Sequence, residues 1–266
     1  MSETRSVPVR LAFAKRLMLS ALLAGIGTNA SAGLEQAKKH GKLTAGIQYV
    51  VPEYRGGMKF RTPEAIDTAL AQDLARRMRL PLTTVRSDAG KADVVLKALS
   101  DNDASHRSAT VIPVGYATGP MAIMRTDTDI KTWEQLKGRT VCLAEGGRYV
   151  GALAARYGAI EMVQKAPADS LLALRIGSCD AAVHDSALLE ELIKLPEWKK
   201  FSARLPVGQR SALAFVVPAT DRKSAELLRQ VAREWASAGY PEQLMKKAVQ
   251  NIAFEVYLDQ NVPDCH

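Results

Sequence analysis

KGRTVCLAEGG, Lys137–Gly147, and SLLALRIGSCDAAVHD, Ser170–Asp185, are the two stretches whose reading decides the fold. Each holds an apolar run of strand length, Thr140–Ala144 and Ala181–Val183, and each run stops at residues suited to a ligand rather than to a core. The first stops at Glu145-Gly146-Gly147-Arg148, and a helical pattern follows from Tyr149 to Tyr157. That order reads as strand, glycine turn and helix N-terminus, where free backbone N–H groups and the helix dipole favour an anion. The second run stops at His184-Asp185, which puts a carboxylate at a strand end. Ligands of open α/β sheets sit at the carboxyl ends of the strands. One edge could therefore meet the anionic and the cationic group of a single small molecule, the charge pattern of an amino acid.

Outward from these stretches, short apolar runs alternate with helical patterns. Leu34–His40 reads as a helix, and Lys42–Tyr49 alternates like a first strand. In Pro63–Arg79 the residues Ile66, Leu70, Leu74 and Met78 recur at a spacing of four, which predicts an amphipathic helix. Leu82–Arg86, Ala92–Leu96, Val111–Tyr116, Met121–Met124 and Ala212–Val217 read as extended, the apolar ones as expected of a sheet covered on both faces. Thr132-Trp133-Glu134-Gln135 fits a capping box. Asp169–Ile176, Ser186–Ile193, Lys223–Ala238 and Pro241–Val249 read as helices. The alternation predicts parallel α/β sheets in two lobes, the chain crossing near residues 119–124 and returning near 213–218, with the final helices completing the first lobe. Lobe 1 is expected to hold residues 33–120 and 216–266, and lobe 2 residues 121–215.

Residues 1–32 read as an export signal rather than as fold. Arg5, Arg10, Lys15 and Arg16 precede the apolar run Leu17–Ile26, and Ala30-Ser31-Ala32 supplies an A-x-A site, so cleavage is expected after Ala32 and the protein outside the cytoplasm. The run is about half the ~20 residues a membrane helix needs. Setting the segment aside lowers the formal charge from +8 to +5. Basic residues come in ones and twos with acids between them and without interleaved aromatics, which argues against a nucleic-acid partner. Of the three cysteines, Cys142 and Cys179 lie at or just before the two decisive strands, so they are either bridged or two small buried residues; Cys265 is left over. His40, His106, His184 and His266 show no zinc spacing, and neither a G-x-S-x-G elbow nor a phosphate-binding lysine loop is present, so no metal or cofactor is expected.

Together, Gly41-Lys42-Leu43, Asp73-Leu74-Ala75, Ala92-Asp93-Val94-Val95, Leu136–Val141 and Ala173–Asp185, in this order and spacing, resemble the family 3 extracellular solute-binding proteins, periplasmic receptors of polar amino acid ABC transporters. The resemblance covers about Gly41 to Met245. It implies a type II periplasmic-binding-protein fold, two mainly parallel sheets flanked by helices with the ligand cleft between lobes. It implies a monomer that captures a small polar solute in the periplasm, hands it to an inner-membrane permease, and is not an enzyme. By the same resemblance Tyr54 covers the ligand, Arg107 and the start of the helix at Gly147 and Arg148 hold its carboxylate, and Asp185 holds its ammonium. The pattern departs from the family at Asp101–Arg107, at Gly146-Gly147-Arg148 where a Gly-Thr pair is usual, and at Ala65-Ile66-Asp67. Arg107 with Arg148 would suit a ligand with two acidic groups.

Two alternatives stand beside that reading. Some relatives of the family are cyclohexadienyl or arogenate dehydratases, and Glu53 or Glu145 could serve as the acid such chemistry needs. A sensor or accessory protein that binds another protein in place of a solute is the other.

Overall fold

The computed structural model describes residues 33–48, 50 and 59–260. The expected export segment, residues 1–32, lies outside the described residues, as do Glu53, Tyr54, Cys265 and His266. The strands are β1 Leu43–Ile47, β2 Leu82–Arg86, β3 Val94–Leu99, β4 Ala109–Thr118, β5 Pro120–Met124, β6 Thr140–Ala144, β7 Ile160–Gln164, β8 Ala181–Asp185, β9 Ala203–Arg204 and β10 Ser211–Pro218. The helices are α1 Leu34–His40, α2 Asp67–Met78, α3 Ser105–Ser108, α4 Ala152–Tyr157, α5 Pro167–Arg175, α6 Ser186–Leu192, α7 Arg222–Ser237 and α8 Tyr240–Asp259.

These strands form two five-stranded sheets, in the orders β2-β1-β3-β10-β4 and β7-β6-β8-β5-β9. In each sheet four strands run one way and one is reversed. β10 is antiparallel to both β3 and β4, and β5 to both β8 and β9. This is the two-lobed, mainly parallel α/β fold that the alternation of elements implied. The central strands are the most buried: all five residues of β8 are buried, as a strand covered on both faces must be. Edge strand β7, which the sequence pattern did not mark, leaves Ile160 and Val163 exposed.

The two reversed strands sit where the chain changes sheets. β4 ends at Thr118 in the first sheet and β5 begins at Pro120 in the second, so Gly119 alone makes the crossing. The return runs from β9 to β10 through residues 205–210 and lies against the first crossing, Gly208 N–H donating to the Pro120 carbonyl at 2.9 Å. A Cβ on Gly119 would stand 2.9 Å from the Gly208 carbonyl oxygen, so the close passage of the two segments requires glycine there.

α7 packs on β4 and β10 of the first sheet, and α8 packs on α7 and β4 as well as on α5 and α6 beside the second sheet. α8 runs to Asp259, ten residues beyond the expected Val249, because Ile252, Ala253 and Val256 continue its buried stripe.

Cys142 of β6 and Cys179, two residues before β8, are joined by a disulfide with Cα atoms 5.8 Å apart. β6 and β8 are parallel neighbours, Cys142 pairing in register with Ala182, and this adjacency brings the two sulfurs together. Of the two readings left open for these cysteines, the bridge is the one found.

Candidate functional site

A cavity of about 770 Å³ opens between the two sheets, in the range usual for small-molecule sites. Both sheets contribute to it: Gln48 after β1, Ala98 in β3, Tyr116 in β4 and Leu213 in β10 from the first; Ala144 to Arg148 after β6 and Asp185 at the end of β8 from the second. It thus sits at the carboxyl ends of β1, β6 and β8, where α/β sheets leave a crevice.

Of the residues singled out in the sequence, Gly147, Arg148 and Asp185 line this cavity, as does Glu145, the candidate acid of the enzyme alternative. Asp185 is 4% exposed, and its Oδ1 accepts from the Arg148 guanidinium and, at 2.6 Å, from the Tyr149 hydroxyl. Burial and the neighbouring charge of Glu64 raise the Asp185 carboxyl above its ordinary value in spite of Arg148. Burial works against the Arg148 charge, yet Asp185 and Tyr149 leave the guanidinium more firmly protonated than usual. Tyr149 is pushed up by burial and by Asp185, so it remains a donor. Gly147 is required by close approach, since a Cβ there would meet the Ala144 carbonyl oxygen at 2.8 Å.

The glycine turn after β6 does not open directly into a helix. The chain turns through 149–151, Gly151 adopts φ 82°, and α4 begins only at Ala152. Its first free amides are occupied from within: Glu161 Oε2 accepts from Gly151 N–H at 2.6 Å and Oε1 from Ala154 N–H at 2.9 Å. A carboxylate of β7 thus satisfies the helix start expected to hold a ligand's anion, as the helix dipole favours. What this turn brings to the cavity is Arg148.

Arg107 is placed elsewhere. Asp103 Oδ1 accepts from Ser105 N–H at 2.9 Å and starts the single helical turn α3, which carries Arg107 exposed on the surface and not among the residues lining the cavity. The pairing of Arg107 with Arg148 around a doubly acidic ligand therefore has no geometric basis. Tyr54 lies outside the described residues.

The residues that the sequence did not reveal come from the segment before α2. The helix expected from Pro63 starts at Asp67, because residues 61–64 are turned toward other elements. Thr62 N–H and Oγ1–H donate to Glu255 Oε1 of α8 at 3.0 and 2.6 Å, and Arg61 donates to Asp259 of α8 and, at 2.8 Å, to Asp169 of α5. Glu64 crosses to the second sheet: Oε2 pairs with His184 Nδ1 at 2.9 Å and Oε1 accepts from Asp185 N–H. The far nitrogen of His184, Nε2, lies 2.9 Å from the buried Ser170 hydroxyl of α5. Burial alone would raise the Glu64 carboxyl, but His184, the Asp185 N–H and Arg148 hold it below its ordinary value. Asp67 accepts from Gln48 N–H at 3.0 Å and Thr68 N–H at 2.8 Å, and burial raises its carboxyl. Tyr116 also lines the cavity, and its buried hydroxyl meets no hydrogen-bond partner of good geometry among the described residues. The one trace of these residues in the sequence is Ala65-Ile66-Asp67, where an acid follows a departure from the family pattern.

No family model matches the sequence, and no curated protein matches it. Solved structures do share the fold. An ArgBP mutant from T. maritima is 22% identical, with 82% of this chain and 99% of that chain covered and a TM-score of 0.57. AbpA from Streptococcus pneumoniae, an amino acid ABC transporter substrate-binding protein solved bound to L-arginine, is 14% identical over 82% and 98%, at 0.57. The ancestral amino acid-binding protein AncCDT-1, a precursor of cyclohexadienyl dehydratase, is 17% identical over 81% and 99%, at 0.56. At these identities the likeness is one of fold: two sheets of mostly parallel strands flanked by helices, as in substrate-binding proteins of amino acid transporters.

Proposed function

We propose that this chain is an exported solute-binding protein that holds a small polar ligand, an amino acid, between two lobes and presents it to an ABC transporter permease. The observation that carries this reading is the Arg148–Asp185 ion pair at the wall of a 770 Å³ cavity between two sheets joined by two adjacent crossings. A guanidinium and a carboxylate side by side offer complementary partners to the two charges of a zwitterion. In this reading the lobes are residues 33–120 with 216–266 and residues 121–215, and they move about Gly119 and the 205–210 segment. Contacts from both sides make ligand favour the closed arrangement through its differential affinity. The protein acts as a monomer in the periplasm, residues 1–32 being removed after Ala32. Among the described residues no helix is long and apolar enough to cross a membrane. Glu145, the described member of the two acids considered for dehydration, lines the cavity but is itself exposed, whereas a general acid of that kind requires burial.

The test is thermal unfolding against a panel of amino acids and dicarboxylates. A ligand at ~100 times its dissociation constant adds about 2.7 kcal/mol of stability. A selective rise in Tm is the expected result. A flat panel, after unfolding and refolding to strip carried-over ligand, would point instead to a protein partner, and conversion of prephenate or arogenate to an enzyme.

A further inference from the structure

Among the enclosed residues that line the cavity, carboxylates outnumber cations. Three enclosed carboxylates line it: Asp67 and Asp185, 3% and 4% exposed, and Glu64, whose side chain is 12% exposed. Among these three, Arg148 is the one guanidinium, and it pairs with Asp185. Arg61, the other arginine lining the cavity, is taken by Asp169 and Asp259, and the two lining lysines, Lys59 and Lys165, are exposed, Lys59 also pairing with Asp259. Glu64 has the His184 imidazole, whereas Asp67 accepts backbone N–H groups and has no ion-pair partner among the described residues. An enclosed charge without a counter-charge is costly in a low-dielectric site.

Glu64 also decides which donors are left for a ligand. The Asp185 N–H and His184 Nδ1 are donors that β8 offers at this wall, and the Glu64 carboxylate holds both. An incoming anion therefore finds a protein carboxylate already in place. By contrast, the enclosed Tyr116 hydroxyl lines the cavity and meets no hydrogen-bond partner of good geometry among the described residues, so it is free to meet a ligand. Asp67 accepts backbone N–H groups only, and a carboxylate has further lone pairs to offer.

We infer that the cleft selects a ligand of net positive charge, an amino acid with an ammonium or guanidinium side chain or a carboxylate-free amine, and that Glu64 is the residue that sets this selection. This rests on the amino-acid-receptor reading above and narrows it. The cation of the ligand meets Asp67 and Tyr116, and any carboxylate it carries meets the outer face of Arg148. Acidic ligands are rejected by Glu64 and Asp185 together.

Calorimetric titration of the purified protein with L-lysine, L-arginine, agmatine and putrescine, against L-glutamine, L-leucine and L-glutamate, tests it. At least one net cation is expected to bind about tenfold or more tighter than L-glutamine, with L-glutamate weakest. Glu64→Gln is expected to cut that preference about tenfold while narrowing the gap to L-glutamine. A neutral or acidic amino acid that binds best overturns the charge inference and leaves the receptor reading standing. A panel that binds nothing overturns both. Should Glu64→Gln fold poorly, the wild-type ranking alone still decides.

Discussion

Glu64 and His184 belong to opposite halves of the molecule and are paired across the cleft, Oε2 to Nδ1 at 2.9 Å. Glu64 precedes α2, which packs on β1 and β2 of the first sheet, and His184 is in the buried centre of the second. The same carboxylate takes the Asp185 N–H, so one side chain ties the loop to the strand that ends at the cavity.

Acid should loosen this tie. His184, the Asp185 N–H and Arg148 outweigh burial and hold the Glu64 carboxyl below its ordinary 4.5. A lowered carboxyl contributes stability that is present above the unfolded value and lost as pH falls through the folded one. Asp185 runs the other way, raised above its ordinary 3.8 by burial and by Glu64. Urea unfolding from about pH 6 to about pH 3 should show wild type losing more stability in acid than Glu64→Gln does. At neutral pH the substitution is expected to cost about 1–3 kcal/mol. An acid limb unchanged by the substitution would sink the tie as described.

Asp185→Ala should damage both fold and binding. It leaves the largely buried Arg148 guanidinium without its counter-charge and the Tyr149 hydroxyl without its acceptor. Breaking such a pair from one side costs about 3–5 kcal/mol. Chemical denaturation measures that loss, and calorimetry should find ligand affinity strongly reduced.

Arg107→Ala should change little. The residue is exposed on α3, outside the cavity lining. Stability is expected to stay within about 0.5 kcal/mol and ligand affinity to be unaltered. A large loss of affinity would mean that α3 reaches the ligand after all.

Opening the disulfide should be expensive. The Cys142–Cys179 bond closes a loop of sequence separation 37, which the chain-entropy model values at about 4 kcal/mol. Cys142→Ser, or reduction of wild type, should lower the urea midpoint accordingly. The ligand ranking should survive, because neither sulfur lines the cavity.

Gly147→Ala should act on the ligand more than on the fold. The added methyl would press on the Ala144 carbonyl oxygen 2.8 Å away and shift the turn that presents Arg148. Weaker binding with a modest stability cost, about 1–3 kcal/mol as for other overpacked sites, is the expected pattern in paired titration and unfolding experiments.

By itself the sequence determined most of the elements and their order, though not the short α3 and the edge strands β7 and β9. Apolar runs such as Thr140–Ala144 and Ala181–Val183 could only be buried strands, and the ends of those runs located Arg148 and Asp185 at one edge, because period and burial are local properties of the chain. Proximity in the chain was equally misleading where a local rule had a distant competitor. Pro63–Ile66 has a helical pattern yet stays irregular because Glu255, Asp259 and His184, more than a hundred residues away, bind Thr62, Arg61 and Glu64. The anion site expected at the helix after Gly147 is filled by Glu161, and Arg107 is carried off on a separate turn. Only the tertiary structure decided which charges share the cavity and which of them remain unbalanced. Electrostatic energy depends on distance and burial through space, and neither is written in the spacing of residues along the chain.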